Sequence, residues 1–426
     1  MSTSDLQFGF KSGGSTNSCT FMLKETISYY LKSGNCVNAA FLDATKAFDR
    51  VNYCKLFDLL IKRNVPPCVL RLILTMYVDQ FMCVKWNSAI SERFDISNGV
   101  KQGGVLSPVL FCVYIDGLLC KLKQSGLGCN VGNIYCGAFG YADDLALLSP
   151  SVCGLQKLVD ICRNYAAEFD ISFNCKKSKM MVFSKGHSSH KPTVMLNFER
   201  LEYVSEFVHL GHVLRSDLSD NNDIMSQRAK FVGKANAIIS DFKGTAGMLK
   251  YGILKTYCYN FYGCQLWNLQ DQTMDKLCVS WRKACRKSIG LPDRTHNKLL
   301  PIICNTTPFL SILEKRFIRF FMSCVNSSNS NVRFIAQYAS YDCHSATGQN
   351  LNSIFCKYGI SLYKLYNSSY SEVAKYIDDF YRNRSSAIDK AHASVIRECI
   401  NSRDSLCNNV LSGNDCSRVA DYLCTV

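Results

Sequence analysis

The sequence predicts an α+β protein in two parts, a mixed first half and a wholly helical second half. Short apolar runs of strand length, such as 37–43 and 180–183, all lie before about residue 215 and are separated by longer amphipathic segments. From about Asp220 onward the pattern is helical, over 224–242, 249–261 and 274–289. Between the apolar runs Cys136-Gly137-Ala138-Phe139-Gly140 and Leu145-Ala146-Leu147-Leu148 stands Tyr141-Ala142-Asp143-Asp144, which reads as a β-hairpin with two adjacent acids at its tip.

At 426 residues the chain has room for two or three domains, and a hydrophobic fraction of 47% supplies a core. Net charge is +15, from 49 basic and 34 acidic residues, which suits nucleic acid or an anionic surface as a partner. Residues 215–320 hold 17 Lys or Arg against 8 Asp or Glu, so 17 − 8 = +9 of that excess falls on the helical stretch. The 24 cysteines are scattered singly, several in apolar runs (Cys112, Cys120, Cys162), and form no C-x-x-C pair. That argues against a zinc ribbon and for a reducing, intracellular compartment. The first residues contain no apolar signal segment, and no run of 18 apolar residues exists, so no membrane-spanning helix is expected. Asn326-Ser327-Ser328 and Asn367-Ser368-Ser369 match the glycosylation pattern, which has no meaning inside a cell.

Residues 7–17 form a Gly-rich loop that closes on Ser15 or Thr16 as a helix N-cap, with Lys11 beside it as a possible phosphate contact. A helix follows to about Lys32, carrying Phe21, Leu23, Ile27 and Leu31. Residues 37–43 read as a buried strand ending in Asp43, an expensive place for an acid unless something pairs with it. Helices over 54–63 and 68–80 are split by Pro66-Pro67, and 82–86 with 93–96 suggest a small hairpin. The loop 98–108 runs into a helix to about Lys123, with Ser107 as N-cap and Pro108 at the first position. After the acid hairpin come an amphipathic helix over 152–169, a turn over 173–179, and strands over 180–183, 194–198 and 207–214. The Ser/Asn run 326–331 reads as a linker, His187-x-x-His190 as a loop, and the last hundred residues as helix.

If the strand that ends in Asp43 lies beside the acid hairpin, Asp43, Asp143 and Asp144 converge at one sheet edge. Three carboxylates push one another's pKa upward unless a cation joins them, and hard divalent cations prefer oxygen ligands. Two such ions about 4 Å apart make a site for in-line phosphoryl chemistry. Taken alone, the tetrapeptide is equally consistent with an acidic turn in water.

The motifs together resemble those of reverse transcriptases, most of all the non-LTR (LINE-like, jockey-like) retrotransposon enzymes. They are Phe41-Leu42-Asp43-Ala44-Thr45-Lys46-Ala47-Phe48-Asp49, Lys101-Gln102-Gly103 with Leu106-Ser107-Pro108, and Tyr141-Ala142-Asp143-Asp144, in the family's order and spacing. Asn174-x-x-Lys177-Ser178 resembles the next motif, His209-Leu210-Gly211 the primer-grip turn, and Gln7-Phe8-Gly9-Phe10-Lys11 a block upstream. Tyr262-Gly263-Cys264-Gln265-Leu266-Trp267 and Arg286–Pro292 resemble the thumb-side region, so the likeness covers roughly residues 7–320.

That resemblance implies a right-hand polymerase: a fingers remnant over 1–36, a palm with an antiparallel sheet over 37–215, a helical thumb over 216–323 and a helical tail over 333–426. It implies RNA-directed DNA synthesis with an RNA template, a DNA primer and deoxynucleoside triphosphates, in the nucleus and cytoplasm. Asp43, Asp143 and Asp144 are likened to ligands of two Mg²⁺ ions, with Mn²⁺ an alternative. Phe48 matches the residue that excludes a ribose 2′-OH, Gln102 and Gly103 the loop on the nascent pair, and Lys177 the lysine that assists pyrophosphate departure. Tyr141, Leu210 and Gly211 match primer contacts, and Arg282, Lys283, Arg286 and Lys287 are placed on one helix face for primer–template phosphates. Asp49 reads as a pairing or capping residue. Lys11 stands where the family usually has Arg, and Gly104-Val105 replace its usual Cys-Pro. The family's earlier fingers motifs and its endonuclease domain are absent, so an N-terminally truncated element is expected. Rival readings are a non-catalytic nucleic-acid-binding remnant, an RNA-dependent RNA polymerase and a palm-type nucleotide cyclase.

Overall fold

A capping box starts the first helix: Ser15 Oγ accepts from the Ser18 N–H while Ser18 Oγ accepts from the Ser15 N–H. The computed structural model describes residues 3–11, 13–78, 80–186 and 192–407, and His187 and His190 lie outside them. The chain forms two units, one of residues up to Leu218 with Ser327–Gln337, the other of Ser219–Asn326 with residues from Tyr338 on.

In the first unit α1 (Thr16–Lys32) leads into β1 (Val37–Asp43), whose first six residues are all buried. A strand without a polar face belongs in the middle of a sheet. It sits there, in the order β5-β4-β1-β3-β2, where β2 is Ala138–Tyr141, β3 Asp144–Ser149, β4 Lys179–Phe183 and β5 Glu202–Tyr203. β1 runs antiparallel to both β3 and β4. Ala40 and Leu42 join the main core with α4 (Ser107–Gln124) and α5 (Val152–Glu168), and also with α2 (Tyr53–Lys62) and α3 (Pro67–Tyr77). Phe41, on the other face by strand alternation, stacks on Phe207 with ring centroids 4.9 Å apart. Arg63, the C-terminal cap of α2, and the buried Asp116 of α4 form a 2.5 Å ion pair that ties these helices together.

Several local expectations are corrected. Ser107 is the first helical residue, not the cap; its hydroxyl donates back to Lys101 O at 2.6 Å, and Leu106 holds the cap position. The 82–96 hairpin is two short ladders, Phe81–Met82 with Phe94–Asp95 and Lys85–Trp86 with Ala89–Ile90. The strand expected over 194–198 turns back at Asn197 and Phe198, both at positive φ, so Met195–Leu196 pairs with Glu199–Arg200. The strand expected over 207–214 is likewise a hairpin of β6 (Glu206–His209) and β7 (His212–Arg215). The 326–331 run is an anchored turn, since the Asn329 side chain accepts from the Asn331 and Val332 N–H groups and donates to Asp5 O.

The second unit is helical. α6 (Asn221–Asp241), α7 (Gly247–Cys258) and α8 (Thr273–Ile289) are followed by α9 (Leu299–Ile303) and α10 (Phe309–Val325). Its core is aromatic: Phe309 packs on Trp281 (5.5 Å), Phe261 (5.2 Å) and Tyr259 (6.3 Å). Buried polar groups are paired there: Trp267 Nε1 donates to Asp223, and Glu314, 1% exposed, accepts from Lys357 and Tyr358.

Candidate active site

The edge of the sheet gathers the acids. Asp43, the last residue of β1, is the register partner of Asp144, the first residue of β3. Across the β2–β3 hairpin Tyr141 pairs with Asp144, which leaves Ala142 and Asp143 as the two turn residues. Ala142 has φ +54 and Asp143 does not share it, the pattern of a type II′ turn whose first position usually holds glycine.

The segment 172–178 locks the end of β1. Thr45 N–H donates to Ser172 O, Asn174 N–H to Asp43 O, and Asp43 N–H to Ser178 Oγ. Asn174 Oδ1 accepts from the Lys176 and Lys177 N–H groups and so folds the turn. This places Lys177 Nζ 3.8 Å from Asp43 Oδ2. The Asn174-x-x-Lys177-Ser178 spacing thus has a physical content: one residue makes the turn, one brings a cation to Asp43, and one holds its backbone.

The carboxylates feel one another. Burial, then the charges of Asp143 and Asp43, push Asp144 up to about 6. Burial raises Asp143 as well, partly offset by its own N–H, with Asp43 adding to the rise. Among the described residues no three acidic, imidazole or thiol groups are drawn tightly around one point. The donor set at this edge is nevertheless all hard oxygen, partly desolvated and mutually repelling, which fits a divalent cation.

A second loop docks on residues 48–53, the segment that follows β1. Gly99 N–H donates to Val51 O, Val100 N–H to Phe48 O, and Tyr53 Oη to Gly99 O. Gly99, at φ +94, passes so close that a Cβ there would stand 2.8 Å from Asp49 O. Phe48, half-buried, stacks on Phe111 at 4.8 Å and 18°. Gln102 is exposed and donates to Asp49 Oδ1 at 3.0 Å. Asp49 is therefore the group that restrains Gln102, a pairing 53 residues apart in sequence. Gly103, at φ +81, is exposed with open space around it.

The upstream block lies along β2. Gln7 bridges Gly140 in parallel, and its Oε1 accepts from Gly9 N–H (2.9 Å) and Ala142 N–H (3.1 Å). Phe10, 55% exposed, lies against Tyr141 with ring centroids 6.3 Å apart. Lys11 is committed within the chain, to Thr3 O, Ser4 O and Asp5, rather than poised for phosphate. Sequence reasoning missed Gln7 as a support of the acid turn; the only signal was its place beside Gly9, because the contact spans 135 residues.

Leu210 and Gly211, at φ +48 and +79, make the two-residue turn between β6 and β7. His209 of this hairpin packs on Phe41, two residues before Asp43, with centroids 5.0 Å apart. In the second unit, Lys283 and Lys287 are exposed one turn apart on α8, and Arg282 is half-buried. Arg286 departs from the expected face: it is 8% exposed and donates to Thr295 O and Asn297 Oδ1, bracing the chain beyond α8.

Residues 1–233 match the model of the family described as reverse transcriptase (RNA-dependent DNA polymerase). The chain is 33% identical over 154 residues to the Pol polyprotein of a type-2 retrotransposable element of Drosophila melanogaster, covering 36% of this chain and 14% of that protein. It is 27% identical over 300 residues to a probable RNA-directed DNA polymerase from transposon X-element of Drosophila melanogaster, covering 68% of this chain and 32% of that one. With the RNA-directed DNA polymerase from mobile element jockey of Drosophila funebris, identity is 26% over 298 residues, covering 67% and 32%. The chain thus spans a third or less of the length of these relatives. The apo telomerase of Candida tropicalis aligns with 87% of this chain and 57% of its own at a TM-score of 0.40 and 12% identity. Reverse transcriptases in general use divalent metal ions. Among the described residues no helix is long and apolar enough to cross a membrane.

Proposed function

The chain belongs to the reverse transcriptase family, of the non-LTR retrotransposon type, and from that membership we propose that it copies RNA into DNA by extending a DNA primer with deoxynucleoside triphosphates. The observation that carries this reading is the register pairing of Asp43 with Asp144, with Asp143 in the adjoining turn. Asp43, Asp143 and Asp144 would hold two Mg²⁺ ions, with Mn²⁺ able to substitute. Ions bound there supply the positive charge that lowers the pKa of a primer 3′-hydroxyl and offsets the charge of the departing pyrophosphate.

The other residues bind and orient. Phe48, stacked on Phe111, would exclude a ribose 2′-OH by its bulk. Gln102, restrained by Asp49, and Gly103, with no side chain, form the surface for the nascent pair and template. Lys177, beside Asp43, offers a cation to the triphosphate. Tyr141 and the Leu210-Gly211 turn form the primer side. Arg282, Lys283 and Lys287 on α8 bind phosphates without reading sequence.

Primer extension on a poly(rA)/oligo(dT) hybrid with Mg²⁺ and dTTP tests the reading, with Asp143→Asn as the control. Extension by the chain and its loss in Asp143→Asn is the expected result. Hybrid binding without extension by either would instead favour a nucleic-acid-binding protein that no longer copies.

A further inference from the structure

We propose that Gln7 is a positioning residue that holds the Ala142-Asp143 turn in the shape in which the two acids present their carboxylates, an inference that rests on the polymerase reading of that turn. Ala142 occupies a left-handed conformation, at φ +54, that an L-residue adopts only when its surroundings impose it. Its N–H donates to Gln7 Oε1 at 3.1 Å. Gln7 is 1% exposed, and the same oxygen takes the Gly9 N–H at 2.9 Å. Two converging donors fix which end of the amide faces the turn.

The segment that carries Gln7 is hydrogen-bonded to β2 and to α4. Phe8 N–H donates to Gly140 O at 2.8 Å and Gly140 N–H to Leu6 O at 2.9 Å, so Leu6–Phe8 lies along β2 as a further strand-like segment. Cys112 Sγ donates to Gly9 O, and Asp116 of α4 accepts the Ser4 N–H, tying both ends of the segment to α4. Gly9 is required by closeness: a Cβ there would stand 2.6 Å from the Ala142 nitrogen. The other end of the Gln7 amide, Nε2, is buried and has no hydrogen-bond partner among the described residues. The carboxamide is explained by its oxygen, and its oxygen faces the acid turn. Groups that orient metal-binding or catalytic residues from behind act in this way.

The test compares the wild-type chain with Gln7→Met, Gln7→Asn and Gly9→Ala. Mn²⁺ binding by electron paramagnetic resonance, single-turnover primer extension, hybrid binding and melting temperature are measured for each. Gln7→Met keeps the volume and removes the acceptor; about 10- to 100-fold loss is expected in both Mn²⁺ affinity and extension rate, with hybrid binding unchanged. Gln7→Asn, whose shorter amide reaches less far, is expected between the two. Gly9→Ala leaves the amide in place and presses on Ala142, so it gives the same signature even if Gln7→Met fails to fold. Folded Gln7→Met or Gly9→Ala protein that binds Mn²⁺ and extends primers within about twofold of wild type overturns the proposal. If the wild-type chain binds Mn²⁺ but extends nothing, the polymerase reading falls, and the Mn²⁺ affinities still decide the role of Gln7.

Discussion

Phe48 packs on Phe111, and in the proposed function the same ring excludes a ribose 2′-OH. Its stacking on Phe111 fixes the plane, and the loop hydrogen bonds from Gly99 and Val100 fix the turn that carries it. Phe48→Ala is expected to relax discrimination against ribonucleotides, by up to about 100-fold, the range in which a pocket rejects an added hydroxyl. Extension with dTTP and UTP at matched concentrations measures it, and unchanged discrimination in a folded variant would remove Phe48 from that role. Asp144 gives a second outcome at this scale. Its carboxyl keeps a proton up to about pH 6 in the folded chain, whereas an unfolded Asp releases it near 3.8. Without divalent ions this group's contribution therefore favours the fold below that window and is lost as pH rises through it. Melting curves at pH 7.5 without metal should show Asp144→Asn more stable than wild type. Added Mg²⁺ should reverse the order, because a ligand that binds only the folded state stabilises it.

The β6–β7 hairpin is the element in which sequence and burial pull hardest against each other. His209 and His212 are register partners beside a Leu-Gly turn, and both rings are buried. Burial lowers His209 to about 4 and His212, with Lys24 and His209 contributing, to about 3. Both are neutral in the fold, so their contribution is fully present above the ordinary histidine value near 6.5 and is lost as pH falls from there toward 4. His209→Leu is expected to flatten the fall in melting temperature between pH 6.5 and 4.5, and an unchanged acid limb would count against it. Because His209 packs on Phe41, loosening this hairpin also loosens the strand that ends in Asp43.

At the scale of the whole molecule the charge is divided by use. Of the basic residues expected on α8, Lys283 and Lys287 are exposed while Arg286 is spent on Thr295 and Asn297. Replacing both lysines by Gln should lower the slope of log affinity against log salt for an RNA–DNA hybrid by about 2, roughly one per phosphate contact. Arg286→Gln should instead lower the melting temperature and leave the slope alone, since it strands the carbonyl of the buried Thr295. Titrations of hybrid binding from 50 to 200 mM salt, beside melting curves, separate the two.

What the sequence by itself determined is local in range. The helix N-cap at Ser15 or Thr16, the buried strand to Asp43, the two-acid hairpin and the helices from Asp220 onward follow from residues within one or two turns of each other. The ordered motifs also made the family legible. What only the tertiary structure decided are pairings across long separations: Asp43 with Asp144, Gln7 with Ala142, Asp49 with Gln102. Periodicity placed Arg286 on a helix face but could not say which neighbour that face meets, and composition could not show that Asn329 caps a helix and reaches Asp5. The reason is physical: a strand, turn or cap is set by its nearest residues, whereas the partner of a buried amide or carboxylate is chosen only when distant segments close on one core.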